Sequence, residues 1–326
     1  MAGLFSNRYM KPGPGVIKKE KKDDFTYRNM FVQIVRKFSK LMGLNLLYLA
    51  MNFPIFFGMI GLSGRFGIPY MTPATSGYQS VAGASLYLSD PAELVMEGLF
   101  GHMTSSTYAG TTTNVLYYLT LLVVLTFGLS TAAMTLVCRN LARGDYTELG
   151  RDFFRAIKRN FRQAFIVGIL DLFFLFVVSY AVMFYYYNFV GGTNIITSFM
   201  FFVAALIAFI YLFMRYYIDL MLVTFDLKIK KLFKNAWLFA TLGFKRNMAA
   251  TFFIVLVIVL NIFLFGMIMP IGAIAPFLIT PILISFIATY SAYPVIKKYM
   301  IDPYYEEHPE DKPKQVEGEA VFEDRG

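Results

Sequence analysis

Six apolar stretches, each close to the length that crosses a bilayer, divide this chain: residues 41–62, 115–138, 164–188, 195–218, 249–269 and 273–296. A hydrocarbon core of about 30 Å takes roughly 20 helical residues, so each stretch predicts a transmembrane helix. The third and fourth are joined by a short uncharged link, Asn188 to Asn194 with Gly191 and Gly192, and the fifth and sixth meet around Met269 and Pro270. Both joints read as tight outer turns. Pro54 sits inside the first span and Pro276 and Pro281 inside the last, which predicts kinks or breaks, because a proline removes one backbone hydrogen bond.

The polar segments between these pairs carry a second periodicity. Residues 31–42 place Phe31, Ile34, Val35, Phe38 and Leu41 on one helical stripe, with Arg28, Arg36, Lys37 and Lys40 mostly off it. Residues 150–163 repeat the theme, with Phe154, Ile157 and Phe161 against Arg151, Arg155, Lys158, Arg159 and Arg162. In residues 227–247, Ile229, Leu232, Phe233, Ala236 and Ala240 oppose Lys228, Lys230, Lys231 and Lys234. Apolar positions three and four apart with a basic opposite face describe a helix lying in the membrane interface. Each such helix precedes an odd-numbered span. The expected fold is therefore an all-α membrane protein of six transmembrane helices and three cytoplasmic interfacial amphipathic helices, a pattern compatible with threefold repetition of a helix plus a hairpin.

Composition and charge orient this array. The chain is 57% hydrophobic and only 16% charged, where a soluble domain carries about a quarter. Of its 30 Lys and Arg, all but Arg65 fall in four stretches: residues 1–40, 139–163, 215–247 and 297 onward. Cations collect on the cytoplasmic side of a bilayer, so both termini are placed inside. The net charge of +9 alternates with the spans instead of forming one face. That favours anionic membrane lipids over nucleic acid as a partner, with Lys158, Arg159, Arg162, Lys228, Lys230, Lys231 and Lys234 as candidate headgroup contacts. The domain plan is a basic N-terminal tail (1–22), a membrane domain (23–298) with an outer insert (63–114), and an acidic, disordered C-terminal tail (299–326). No cleavable signal peptide is expected, since no short apolar core with a small-residue cleavage site stands in the first thirty positions. Within the outer insert, Asp90-Pro91-Ala92-Glu93 predicts a capped helix from Pro91 to about His102.

Candidate chemistry is sparse. Gly128-Leu129-Ser130 lies within a span, but a serine nucleophile needs a histidine base, and the two histidines, His102 and His308, lie outside every span. Gly128 and Ala132 instead form a small-residue face for close helix packing. Two histidines and the single Cys138 build no usual zinc site, there is no phosphate-binding loop, and no cofactor or enzymatic activity is expected. Ionisable groups inside spans carry the most weight. Asp171 enters the third span and Arg215 and Asp219 close the fourth at the same face. Asp171 and Arg215 form a candidate intramembrane pair, read first as fixing helix register, with a proton or substrate relay as the rival. Asn45, Asn52 and Asn261 read as interhelical hydrogen bonds.

Thr126-Phe127-Gly128-Leu129-Ser130-Thr131-Ala132-Ala133, then Arg139 to Asp145, then Asp152 to Ala164 with its aromatic and basic alternation resemble the YesL-like family of bacterial integral membrane proteins. Arg215, Leu232 to Trp237 and Tyr293 to Pro303 are similar to it as well, whereas the outer insert departs from its pattern. The resemblance implies a six-span protein whose genes accompany carbohydrate ABC-transporter systems, and it implies no catalytic residues. The functional expectation is a non-catalytic accessory or assembly factor, with ABC-transporter permease subunits as partners. The alternative is a secondary transporter or small-solute permease.

Overall fold

The structure is a computed structural model and describes residues 25–64, 66–73, 103–192 and 194–311. The N-terminal tail 1–22, Arg65, the expected outer helix with Asp90, Glu93, Glu97 and His102, and the tail beyond residue 311 lie outside the described residues. The chain divides into two compact units, one of Met1–Leu49 with Gly128–Gly326 and one of Ala50–Phe127.

In the smaller unit, α3 (Ile55–Leu62) packs on α4 (Thr111–Thr120). Gly58 and Gly61 make the contact close, because a Cβ at either would run into Thr120 or Tyr117. Pro54 stands at the head of α3, and the preceding turn Asn52–Pro54 is held by Thr126 Oγ1, 3.2 Å from Asn52 Oδ1. A two-stranded antiparallel ribbon, β1 (Gly67–Pro73) with β2 (Met103–Ala109), was not expected in the outer insert; its register pairs Gly67 with Ala109 and Pro73 with Met103.

The larger unit holds α1 (Tyr27–Arg36), most of α2 (Phe38–Met51) and of α5 (Val123–Arg143), and then α6 (Leu149–Val190), α7 (Ile195–Thr224), α8 (Ile229–Leu242), α9 (Phe244–Met267), α10 (Met269–Leu278) and α11 (Thr280–Ile296). α5 ends in a Schellman motif: Gly144 at φ 75° returns its N–H to Leu141 and Asp145 bonds Asn140, the left-handed turn that glycine adopts without strain. Gly192, at φ 62°, makes the corresponding turn after α6.

Among the described residues four helical stretches are long and apolar enough to cross a membrane: Thr111–Arg143, Leu149–Val190, Ile195–Thr224 and Phe244–Met267; α2 with α3 makes a fifth if that broken pair counts as one. These helices mark a membrane protein. The sixth expected span, 273–296, is not one helix. It is divided at Ile279 into α10 and the 17-residue α11, because Pro281 offers no N–H to the turn before it.

The three basic segments also join their spans in three different ways. α1 is separate from α2 at Lys37, α8 is separated from α9 by Gly243, but residues 150–163 are the beginning of the 42-residue α6, with no break before the third span. Of the apolar stripe expected to lie in the membrane interface, Phe31, Val35 and Phe38 face outward, Val35 at 76% exposure, and Leu41 is buried, as are Met30 and Gln33 off the stripe. The reason is capping. Gln33 Nε2 and Lys37 Nζ donate to the carbonyls of Ala142 and Leu141, satisfying the C-terminal end of α5. On α8 the corresponding stripe turns inward instead of toward a membrane interface, with Leu232, Ala236 and Ala240 buried against the protein.

After α11 the chain widens into a π turn, Lys297–Ile301, in which Asp302 N–H reaches back five residues to Lys297. Pro303 accounts for it, since its ring would collide with a carbonyl four residues earlier in a regular α-helix.

Candidate functional site

Asp171 on α6 is 7% exposed and faces α7. Three donors converge on its carboxylate. Arg215 Nε lies 2.9 Å from Oδ1 and 3.1 Å from Oδ2, Arg215 Nη2 lies 2.9 Å from Oδ2, and the Tyr211 hydroxyl donates to Oδ1 at 2.6 Å. This is the fork geometry in which a guanidinium matches a carboxylate. Tyr211, Arg215 and Asp219 stand four residues apart on α7, so they share one stripe. Asp219 and, from α2, Tyr48 lie within electrostatic reach of the pair. Tyr211 went unnoticed in the sequence, although its spacing from Arg215 was a signal for it.

A second set of contacts holds the C-terminal end of α7. Arg139 Nη1 donates to the Val223 carbonyl at 3.2 Å and to Thr224 Oγ1 at 3.1 Å, and Arg159 Nη2 donates to the same Val223 carbonyl at 3.1 Å. Gln163 Nε2 donates to Leu227 just beyond. Free carbonyls and the negative end of the helix dipole make this a natural seat for guanidinium groups. Arg159, a candidate headgroup contact, is thus engaged with backbone. Arg151 pairs with Glu148 at 3.0 Å and Arg155 approaches Asp152 at 3.9 Å. Lys158, Arg162, Lys228, Lys230, Lys231 and Lys234 have no ion-pair partner among the described residues. Gly150, Arg151, Phe154, Arg155, Lys158 and Arg159 line a shallow open groove on α6.

Gly128 on α5 lies against the Ala164 carbonyl and Gly168 of α6 so closely that a Cβ on either glycine would overlap the other's backbone; Ala132, one turn on, is buried. Asn45 on α2 donates through Nδ2 to the carbonyls of Phe277 and Leu278, at 2.7 and 2.6 Å, where α10 breaks from α11. Asn261 on α9 donates to Thr280 Oγ1 at 2.8 Å. Cys138 is buried, with Ser285 Oγ 3.8 Å from its sulfur. Among the described residues no three His, Cys, Asp or Glu side chains are grouped to hold a metal.

A sequence profile described as "Protein of unknown function, DUF624" matches residues 41–182. That interval includes Asp171, Gly128 and the beginning of α6. No curated protein and no solved structure matches the chain.

Proposed function

We propose that this protein spans the bacterial cytoplasmic membrane six times, with both termini inside and α10–α11 as a bent sixth crossing, and serves as a non-catalytic accessory or assembly factor for a carbohydrate ABC transporter. The orientation rests on the four cation-rich stretches and the positive-inside rule. The transporter association rests on the YesL-like resemblance, whose strongest stretch, Thr126 to Leu172, falls inside the profile match.

The observation that carries the non-transporting reading is the closure of the Asp171 site. Arg215 directs both arms of its fork at one carboxylate and Tyr211 completes it. A polar cluster whose donors are all turned on one another fixes the register of a hairpin and leaves little for a solute to replace. Along α6, α7 and α9, meanwhile, large apolar side chains such as Phe176, Tyr187, Phe199, Phe202, Leu256 and Phe263 face outward, as befits helices bathed in lipid or packed on the spans of another protein.

A mild-detergent pull-down followed by mass spectrometry tests the proposal: permease subunits are expected to copurify. Secondary transport has one observation on its side, Asp219, a further ionisable group beside the closed pair. Solute flux in proteoliposomes that is lost on Asp171→Asn would replace the accessory reading with that one.

A further inference from the structure

The depth of α8 can be read from what it touches. Phe233 packs on Phe174 of α6, Phe239 on Tyr217 of α7, and Phe244, just past its end, on Phe213. At 1.5 Å per residue, Phe213 is about 27 Å along α7 from Ile195, Phe174 is about 24 Å along α6 from Val190, and Lys245 is about 33 Å along α9 from Met267. Those lengths bracket the roughly 30 Å of a bilayer's hydrocarbon. α8 therefore lies one hydrocarbon thickness from the turns at the far ends of these helices. Its own beginning is tied lower, where Gln163 donates to Leu227.

The surface of α8 fits that level. Leu232, Ala236, Phe239 and Ala240 are buried against the protein. On the opposite face Lys230, Lys231 and Lys234 occupy the first turns and Trp237, Leu238 and Leu242 the last, all exposed. Cations at the start of this face and an indole with two leucines at its end match the two chemistries of a phospholipid, its headgroup and its upper acyl chain. By contrast, Lys158 and Arg155 on α6 lie about 7 and 12 Å past Gln163, on the side away from the bilayer.

We propose that the outward face of α8 is a binding site for an anionic phospholipid of the inner leaflet, with Lys230, Lys231 and Lys234 around the headgroup phosphate and Trp237 and Leu238 against the upper acyl chain. The site rests on the inside placement of residues 215–247 in the preceding section, but not on the accessory role. The groove of α6 is no part of it.

Trp237 is the only tryptophan of the chain and reports directly. The full-length protein is reconstituted in phosphatidylcholine vesicles containing phosphatidylglycerol, with brominated acyl chains placed on one lipid or the other at equal fraction. Brominated phosphatidylglycerol is expected to quench Trp237 more strongly than brominated phosphatidylcholine. The preference should vanish in Lys230→Gln/Lys231→Gln/Lys234→Gln, each lysine contributing about fivefold in local lipid enrichment, the factor equivalent to about 1 kcal/mol per basic residue at an anionic surface. It should persist in the corresponding Lys→Arg variant, which also guards against misfolding, and in Arg155→Gln/Lys158→Gln. Equal quenching by both lipids in the unaltered chain, or a preference that survives the triple Gln change, overturns the site, as does quenching by aqueous iodide alone. Outside labelling of a cysteine at position 231 would overturn the orientation instead, whatever the quenching shows.

Discussion

Replacing Asn45 with leucine, which keeps the side chain's size and removes its amide, tests how the break between α10 and α11 is held. Asn45 is wholly buried, and its Nδ2 serves the carbonyls of Phe277 and Leu278 at once. Pro281 has no N–H, so the Phe277 carbonyl four residues earlier has no helical donor. Hydrogen bonds between membrane helices average about 0.6 kcal/mol and reach about 1.7, so losing two should cost about 1–3 kcal/mol. Asn45 Oδ1 has no partner of its own among the described residues, and its removal offsets part of that, placing the net effect in the lower half of the range. Pro281→Ala supplies the missing donor to Phe277. In that background Asn45→Leu should cost only about half as much, since a single carbonyl then depends on the asparagine. Reversible unfolding in bicelles, followed for the four chains of the cycle, gives the coupling. A cost that is the same with and without Pro281 would refute the idea that the asparagine substitutes for the proline's absent N–H.

Three further outcomes follow from the packing. Asp171→Asn should destabilise the protein by stranding Arg215, and Arg215→Gln should recover part of the loss, with coupling of about 1–3 kcal/mol; additive effects in the same unfolding assay would show that the salt bridge contributes nothing as a pair. Gly128→Ala should cost about 1–3 kcal/mol by overpacking against Ala164 and Gly168, while Gly150→Ala, with nothing within 4 Å of its added Cβ, should be neutral or stabilise by up to about 1 kcal/mol; equal responses would exclude a close α5–α6 approach. Cysteines at positions 112 and 192 should react with an impermeant thiol reagent applied outside intact cells and ones at 146 and 231 should not; strong outside labelling at 146 would invert the topology.

Hydrophobic period located the helices well because lipid demands long uninterrupted apolar runs, and α6, α7 and α9 follow it directly. What it could not place was the boundary between membrane and protein. The basic stretch 150–163 has the spacing of an interfacial helix, yet helical period is the same whether a helix ends at Gln163 or runs on to Val190. Cations posed the same ambiguity. Arg159 and Lys158 are neighbours in the sequence, but only the fold shows that one caps Val223 and the other is left exposed. Phe31, Val35 and Phe38 form a stripe as apolar as that of α8, and it faces outward because the opposite side of α1 caps α5. The ribbon of β1 and β2 gave little sign of itself, since Met103–Ala109 reads as a Ser- and Thr-rich loop until its partner strand is known. Asp171 and Arg215, by contrast, needed only the tight turn at Gly191 and Gly192 to be brought face to face.

The polar pegs between α6 and its partner segment sit at three heights along α6: Asp171 with Tyr211 and Arg215, then Gln163 with Leu227, then Arg159 with Val223. Beyond Asp171, toward the turn at Gly191, α6 and α7 meet ring against ring, as Tyr186 and Phe189 do on Phe201. Ring contacts slide and tilt at little cost, whereas a slip of one helical turn, about 5.4 Å, would break every peg together. Mechanically the hairpin is a tuning fork: its pegged base admits one register, and whatever bending a neighbouring span or a thinner bilayer imposes is taken up by the aromatic tip.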